Sequence, residues 1–346
     1  MASNRLRTKR AIVLLLAALA GLHLAILCAG FIAPYDPTLQ NRELPYAPPT
    51  RLHFVNASGF HWRPFVYGSI AEADGYNIDS SHEYPLHWFV RGNTYTILGI
   101  FKSNIHLFGV DEPAEIPLLG TDAFGRDEFS RLLYGGQISL AAGLLATLLA
   151  LLTASVIGTV SGYYGKWIDE SLMGSAELFL SLPWLYFLIG VRAFLPLHLS
   201  PARTFFLLIS VIGLIGWARP ARLVRGVVLS ARDRNYVLAA RGFGGTDLYL
   251  LRRHILPETF AVLLTQSALL IPQYIAAEAT LSFFGLGVNE PVPSWGNMLS
   301  TLQQYSVLVS YHWLLAPACA LIVTSVIYWR LADALHHWVK SRSISN

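Results

Sequence analysis

Long apolar stretches alternate with polar, glycine-rich connections along this chain. Ala11 to Ala33 and Ile138 to Gly162 carry no Asp, Glu, Lys or Arg. Each is long enough to cross about 30 Å of hydrocarbon at roughly 1.5 Å per helical residue. Four further stretches are apolar over most of their length: Leu172 to Val191, Thr204 to about Leu229, Thr259 to about Gly287 and Tyr311 to about Trp338. They enclose charges that include Glu177, Arg219, Glu278 and Arg330. Backbone N–H and C=O groups find no water partner in lipid, so such runs must be helical unless the chain closes a barrel. The strict alternation of barrel strands is absent. The pattern therefore predicts an all-α polytopic membrane protein with six transmembrane helices.

Basic residues orient those helices. Arg5, Arg7, Lys9 and Arg10 precede the first run, which is too long for a signal peptide and ends without a small-x-small cleavage pattern. It is expected to be an uncleaved anchor, with the tail of residues 1–10 in the cytoplasm and the first helix over 11–33. Lys166, the group Arg232, Arg234, Arg241, Arg252 and Arg253, and the final pair Lys340 and Arg342 then all fall on the cytoplasmic side. Val288 to Tyr311, on the opposite side, has no Lys or Arg. Both termini are expected in the cytoplasm of a cell whose inner membrane the chain crosses, with residues 339–346 as a second tail.

Residues 34–136 are far longer than a connection requires. Aromatic and aliphatic residues alternate with polar ones in Leu52 to Val66, and shorter runs follow at Leu86 to Val90 and Tyr95 to Leu98. These predict strands, and hence a β-rich extracytoplasmic insertion before a five-helix core over 137–338. An irregular loop over the spans is the alternative.

Composition narrows the function. Charged residues make up 13% of the 346 and apolar ones 54%, against roughly 25% charged in soluble domains. Two soluble domains are excluded. The net charge of +4 comes mostly from residues flanking apolar runs, so no nucleic-acid surface is expected. Cys28 and Cys319 lie within apolar stretches and suggest neither a disulfide framework nor a metal site. There is no His-Glu-x-x-His, Cys-x-x-Cys or Gly-x-Ser-x-Gly. Gly162-Tyr-Tyr-Gly-Lys166 lacks the spacing and the hydroxyl of a phosphate loop. The chain is expected to hydrolyse no ATP and to bind no cofactor itself.

Four motifs stand in order over residues 120 to 296. Gly120-Thr-Asp-Ala-Phe-Gly-Arg-Asp127, with Ser130-Arg131, precedes the second run. Tyr236-Val-Leu-Ala-Ala-Arg-Gly-Phe-Gly244 and Arg253-His-Ile-Leu-Pro257 lie in the connection 230–257, which is expected to form two short helices about a glycine break. Glu278-Ala-Thr-Leu-Ser-Phe-Phe-Gly-Leu-Gly287 is followed by Pro293-Ser-Trp-Gly296. Together these resemble the permease subunits of ABC importers of the oligopeptide, dipeptide and nickel type. Leu238 replaces the Glu that names the family's Glu-Ala-Ala loop, and His254 replaces a frequent Ile.

The resemblance implies that a coupling helix carrying Ala239, Ala240, Arg241 and Gly244, closed by Leu256 and Pro257, docks on a cytoplasmic ATPase. Ala240 and Gly244, four apart, would share a helical face. It also implies a second homologous permease subunit, two ATP-binding subunits that hold ATP and magnesium, and an extracytoplasmic solute-binding receptor. Glu278 and Glu177 are costly in hydrocarbon. They are expected to face the bundle or a wet cavity, as pathway groups or as interhelix hydrogen-bonding groups. A proton-driven transporter using these two acids is the competing class. Asp122, Arg126 and Asp127, with Gly120 and Gly125 permitting tight turns, are expected to form surface ion pairs that anchor the second helix, lock a gate or touch a receptor.

Overall fold

The structure is a computed structural model that describes residues 2–56, 59–72, 75–97, 100–194 and 200–343. Leu98 of the expected third strand and the last residues of the second tail, 344–346, lie outside this set. In chain order the elements are α1 (Ala2–Leu27), α2 (Ala29–Ile32), β1 (His53–Asn56), β2 (Gly59–Glu72), β3 (Gly75–Pro85), β4 (His87–Ile97) and β5 (Phe101–Gly109). There follow α3 (Glu128–Tyr164), α4 (Lys166–Ser181), α5 (Trp184–Phe194), α6 (Pro201–Ile215) and α7 (Ala218–Arg232). Next come α8 (Asn235–Gly242), α9 (Asp247–Leu250) and α10 (Leu256–Phe283). The last are α11 (Trp295–Leu299), α12 (Tyr305–Ser310) and α13 (Ala316–Ser343).

Among the described residues, four unbroken helical segments are long and apolar enough to cross a membrane: Arg7–Leu27, Glu128–Tyr164, Asp247–Phe283 and His312–Val339. A fifth results if α6 and α7, bent by 41° at their junction, count as one span. The expectation of six continuous helices is thus corrected at two places. Leu172 to Val191 divides into α4 and α5 because Pro183 disfavours helical backbone at the residue before it. Leu182 is accordingly extended, with φ −73° and ψ 130°. Thr204 to Leu229 divides at Gly216 and Trp217, although Pro220 itself sits in the first turn of α7, where its missing N–H costs nothing.

The chain forms two compact units. One comprises Met1–Leu19, Ala141–Glu278 and Val323–Asn346. Here α3 packs on α7 through Gly158 and Gly162. A Cβ on Gly158 would lie 2.5 Å from the Ala221 carbonyl oxygen and 2.8 Å from Val224 Cβ, and one on Gly162 would lie 2.9 Å from the Arg225 carbonyl oxygen. This Gly-x-x-x-Gly spacing is the usual device for close helix approach in lipid. Arg225 then pairs with Asp169 of α4 at 2.5 Å, and Ser161 of α3 donates to the same carboxylate. Below the contact Tyr163, Val224, Val228, Val237, Leu250 and Ile255 form one buried cluster.

The second unit comprises Ala20–Leu140 and Ala279–Ile322. It holds two antiparallel sheets, β1-β2-β3 and β4-β5, over a core of Val66, Leu86, Phe108 and Ile116. The expected strand Leu52 to Val66 is a hairpin in which Asn56 pairs with Gly59. Leu86 to Val90 and Tyr95 to Leu98 largely belong to one strand, β4, whose register shifts between Arg91 and Tyr95. The β3 strand is mostly solvent-facing, and β5 is exposed over most of its first half and buried only toward Phe108, so neither carries enough apolar alternation to announce itself.

In this same unit the chain after α10 is closed by a Schellman turn. Gly285, at φ +72°, donates to Ser282 O, and Leu286 N–H donates to Leu281 O. Ser294 and Asn297 form a capping box on α11. The buried Trp295 donates through Nε1 to Leu132 O at 2.9 Å, and through its backbone N–H to Ser139 Oγ at 3.1 Å. A Cβ on Gly296 would lie 2.2 Å from Ala279 O.

The α3–α7 contact sets a stability expectation. Gly158→Ile forces side-chain atoms into backbone, and should cost about 3 kcal/mol or more by the scale of core overpacking. Gly174→Ala, where a Cβ meets nothing within 4 Å, should be neutral or slightly stabilising. Thermal unfolding of detergent-solubilised variants checks this; equal melting of the two would remove the contact from its central place.

Candidate functional site

The connection between α7 and α10 is built by two glycines in succession. Helix α8 ends at Gly242; Gly244 N–H then donates to Arg241 O and Gly245 N–H to Ala240 O, each at 3.0 Å. Gly244 has φ +87°, the left-handed backbone a Schellman turn requires. A Cβ on Gly245 would stand 2.7 Å from Ala240 O. Ala240 and Gly244 therefore do not share a helical face, as their spacing suggested: the helix stops between them. Gly244 works through its backbone, and Gly245, unnoticed in the sequence, works through its lack of a side chain. Thr246 Oγ1 then accepts from Tyr249 N–H and starts α9.

Side chains brace this connection on two sides. Tyr163 Oη, at the end of α3, donates to Asp247 Oδ1 at 2.5 Å and accepts from Arg241 Nη2 at 3.0 Å. The Arg241 guanidinium also lies over the Tyr163 ring, 5.6 Å from its centroid. Glu258 at the start of α10 accepts from Arg234 at 3.2 Å and from Tyr236 Oη at 3.0 Å. Arg232 donates to Gly162 O at 2.8 Å. Ala239 is exposed and Ala240 half-buried against the cluster of Val237, Leu250 and Ile255.

Leu256 and Pro257 do not close a separate loop. The run from Leu251 to Ile255 is a π-turn continuous with α10, and Leu256 and Pro257 form the first residues of that helix. The Pro257 ring would collide with the Arg253 carbonyl in a regular α-turn, and the wider turn relieves it. Leu238, Phe243, Leu248 and Tyr249 remain exposed, Phe243 at 93%. Ala240, Phe243 to Thr246 and Tyr249 line a shallow depression between α8 and α9.

The two acids expected within the membrane have different surroundings. Glu278 is buried at 1% exposure in α10. Glu177 is exposed on α4 and pairs with Arg222 of α7 at 3.2 Å, a partner that the sequence pattern did not suggest.

Asp122, Arg126 and Asp127 are not surface ion pairs: all three are buried. Asp122 accepts from Arg126 Nε at 2.6 Å and from the backbone N–H groups of Phe124 and Arg126. Arg126 Nη1 donates to Glu290 at 2.6 Å, and Arg131 Nη2 donates to the same carboxylate at 2.9 Å. Glu290 is the residue sequence reasoning missed, since nothing local marks a carboxylate 164 positions from its partner. Burial pushes the Glu290 carboxyl up, but Arg131 and Arg126 outweigh it and hold the group below the ordinary glutamate range. Asp127 caps α3 by accepting from Ser130 N–H at 2.7 Å. Its burial nevertheless pushes its carboxyl up to about 6. Gly125 has φ +69°, and a Cβ there would overlap Asn41 O; Gly120, at φ +74°, abuts Ala47 O and Trp313.

Residues 154–342 match the family described as binding-protein-dependent transport system inner membrane component, and the chain belongs to that family. It is a multi-pass permease component of the ABC importer class, in the inner membrane. It is 36% identical over 218 residues to the dipeptide transport system permease protein DppC of Bacillus subtilis, covering 62% of this chain and 66% of that protein, just under two thirds of its length. It is 32% identical over 223 residues to the glutathione transport system permease protein GsiD of Pectobacterium atrosepticum, covering 64% and 72%. A crystal structure of an amino acid ABC transporter with histidines overlaps 59% of this chain and 91% of its own at 19% identity, with a TM-score of 0.44.

The Arg126–Glu290–Arg131 cluster sets a prediction with a definite sign. Glu290 is half-buried, so Glu290→Gln should cost about 1–3 kcal/mol, below the 3–5 typical of breaking a fully buried pair. The Glu290 carboxyl is lower in the folded than in the unfolded chain, so its contribution is present above the unfolded value of 4.5. It is lost as pH falls through the lower folded value. Melting followed from pH 7 to pH 3 should show wild type losing stability at the acid end while the variant, already weaker, changes less; parallel curves would refute the coupling.

Proposed function

We propose that this chain is the permease subunit of an ATP-driven importer that moves peptides or a related small solute inward by alternating access. The observation carrying the proposal is the braced connection after α7. Two short helices expose Phe243, Leu248 and Tyr249, while their inner side is fixed to α3 by Tyr163 and to α10 by Glu258. A partner pressing on α8 and α9 therefore moves α3 and α10 with them. ATP and magnesium belong to two partner ATP-binding subunits; a second homologous permease and an extracytoplasmic receptor complete the machine. No cofactor is assigned to this chain. The peptide substrate is supported by the relatives named for dipeptide and glutathione transport.

In this reading both termini are cytoplasmic, residues 34–119 and Val288 to Tyr311 are extracytoplasmic, and the two sheets form a β-rich insertion that meets the receptor. Exposed Phe60, Trp62, Trp88 and Phe89 give that insertion an apolar contact surface. Reporters active only in the cytoplasm should work at Arg241 and fail at Ser80; activity at Ser80 would reverse the orientation.

The coupling test uses three substitutions. Phe243→Ala removes an exposed aromatic that nothing in the fold needs, and should weaken ATPase docking about 10- to 100-fold by the scale of burying one Phe. Ala240→Asp places a carboxylate against the Val237 and Leu250 cluster and should do as much. Tyr163→Phe removes the hydroxyl that holds Asp247 and Arg241; docking should persist while receptor-stimulated ATP hydrolysis falls. Co-purification of the ATP-binding subunits and hydrolysis in liposomes are the measurements. Normal assembly and hydrolysis in all three would show that this connection does not couple.

A further inference from the structure

The first unit contains a cavity of about 160 Å³ among α4, α5, α6, α7 and α10. Its walls are mainly apolar, with Phe179 and Leu270 among them, and three polar side chains enter it: Arg219, Gln273 and Tyr274. Tyr274 is 5% exposed, and its hydroxyl has no hydrogen-bond partner among the described residues. A buried hydroxyl without a partner costs about 1–3 kcal/mol, which is unexpected unless something visits it. The α6–α7 break makes the room: a Cβ on Gly216 would stand 1.8 Å from Tyr274 Oη. The bend and the hydroxyl thus occupy one place.

Arg219 supplies the second observation. It lies one turn before Arg222 and two before Arg225, which are paired with Glu177 and Asp169. Arg219 itself is exposed and pairs with no carboxylate among the described residues. It sits near the middle of the α6–α7 span, where a guanidinium facing lipid is disfavoured by roughly 2.5–3.5 kcal/mol on insertion scales. That face is therefore turned to a wet route or to another protein surface, not to hydrocarbon. A guanidinium with hydroxyl and amide donors, set in apolar walls, is the chemistry that receives a carboxylate attached to an apolar body. The volume is below the roughly 300–1,000 Å³ of a pocket enclosing a drug-sized ligand, so it takes one end of a solute rather than the whole.

We propose that this cavity is a transit subsite for the carboxylate end of the solute, with Arg219 as its charge and Tyr274 and Gln273 as donors. The inference rests on the importer reading above and adds a ligand class and a location to it. The full importer, in liposomes with its ATP-binding subunits and receptor, is offered Ala-Leu and Ala-Leu amide together, and the uptake ratio is read. The receptor's own preference is common to every variant and cancels in the comparison. Arg219→Gln should lower the carboxylate-to-amide ratio about tenfold, the scale of one charge-assisted hydrogen bond. Arg219→Lys should keep most of it, and Tyr274→Phe should lower it about threefold.

A second readout needs no partner. With Cys28 and Cys319 changed to Ala, Leu182→Cys puts a thiol on the cavity wall of the full chain in membranes. The anionic-to-cationic methanethiosulfonate rate ratio at that thiol should fall several-fold on Arg219→Gln. An uptake ratio unchanged in Arg219→Gln and Tyr274→Phe, or a thiol ratio indifferent to Arg219, would overturn the subsite. Wild-type uptake that needs no ATP would instead overturn the importer reading, and the thiol ratio would still decide the subsite.

Discussion

Close approach of α3 and α7 at Gly158 and Gly162 is the constraint from which the first unit follows. Only where two backbones meet this closely can Arg225 reach Asp169 beside Ser161, and Arg232 reach the Gly162 carbonyl. Lipid offers helices little reason to associate, so packing and interhelix hydrogen bonds must supply it. The glycines provide the first and the arginines on α7 the second. Tyr163, the next residue, is thereby delivered to the point where Asp247 and Arg241 meet it. The connection after α7 is consequently an extension of a packing contact.

In the second unit the organising force is electrostatic. Two buried arginines share Glu290, while Asp122 is saturated by backbone and guanidinium donors. Such a cluster contributes less to stability than an apolar core of equal volume would, because desolvation offsets much of the attraction. Its geometric selectivity is high, since each guanidinium fork accepts one arrangement. Gly120 and Gly125 bring backbone oxygens close enough to exclude any other residue, which keeps that arrangement compact.

How much of this could be read from residues alone depends on the range of the interaction. Apolar runs marked most helices, because hydrophobicity over twenty residues is a local property. The break at Gly216 escaped, since a span can be apolar and still bend. Strands with one wet face, β3 and β5, had no alternation to detect. The motif residues from Gly120 to Asp127 were visible, but their burial was not: a charged turn looks solvated until Glu290 is placed beside it. The spacing of Ala240 and Gly244 was visible and misleading, because a helix ending between them has no sequence period; the paired Gly244-Gly245 was the better signal.

The π-turn from Leu251 to Ile255 joins α9 to α10 without a flexible link. Each residue in a helix advances its neighbours by about 100° around the axis. A single residue lost or gained there would swing α9 by roughly that angle about α10 while every apolar residue of the span stayed in place. The connection is therefore indexed to the membrane helix like a key cut on a shaft: its face is fixed by counting residues. Length along these five positions is under tighter geometric control than their chemistry.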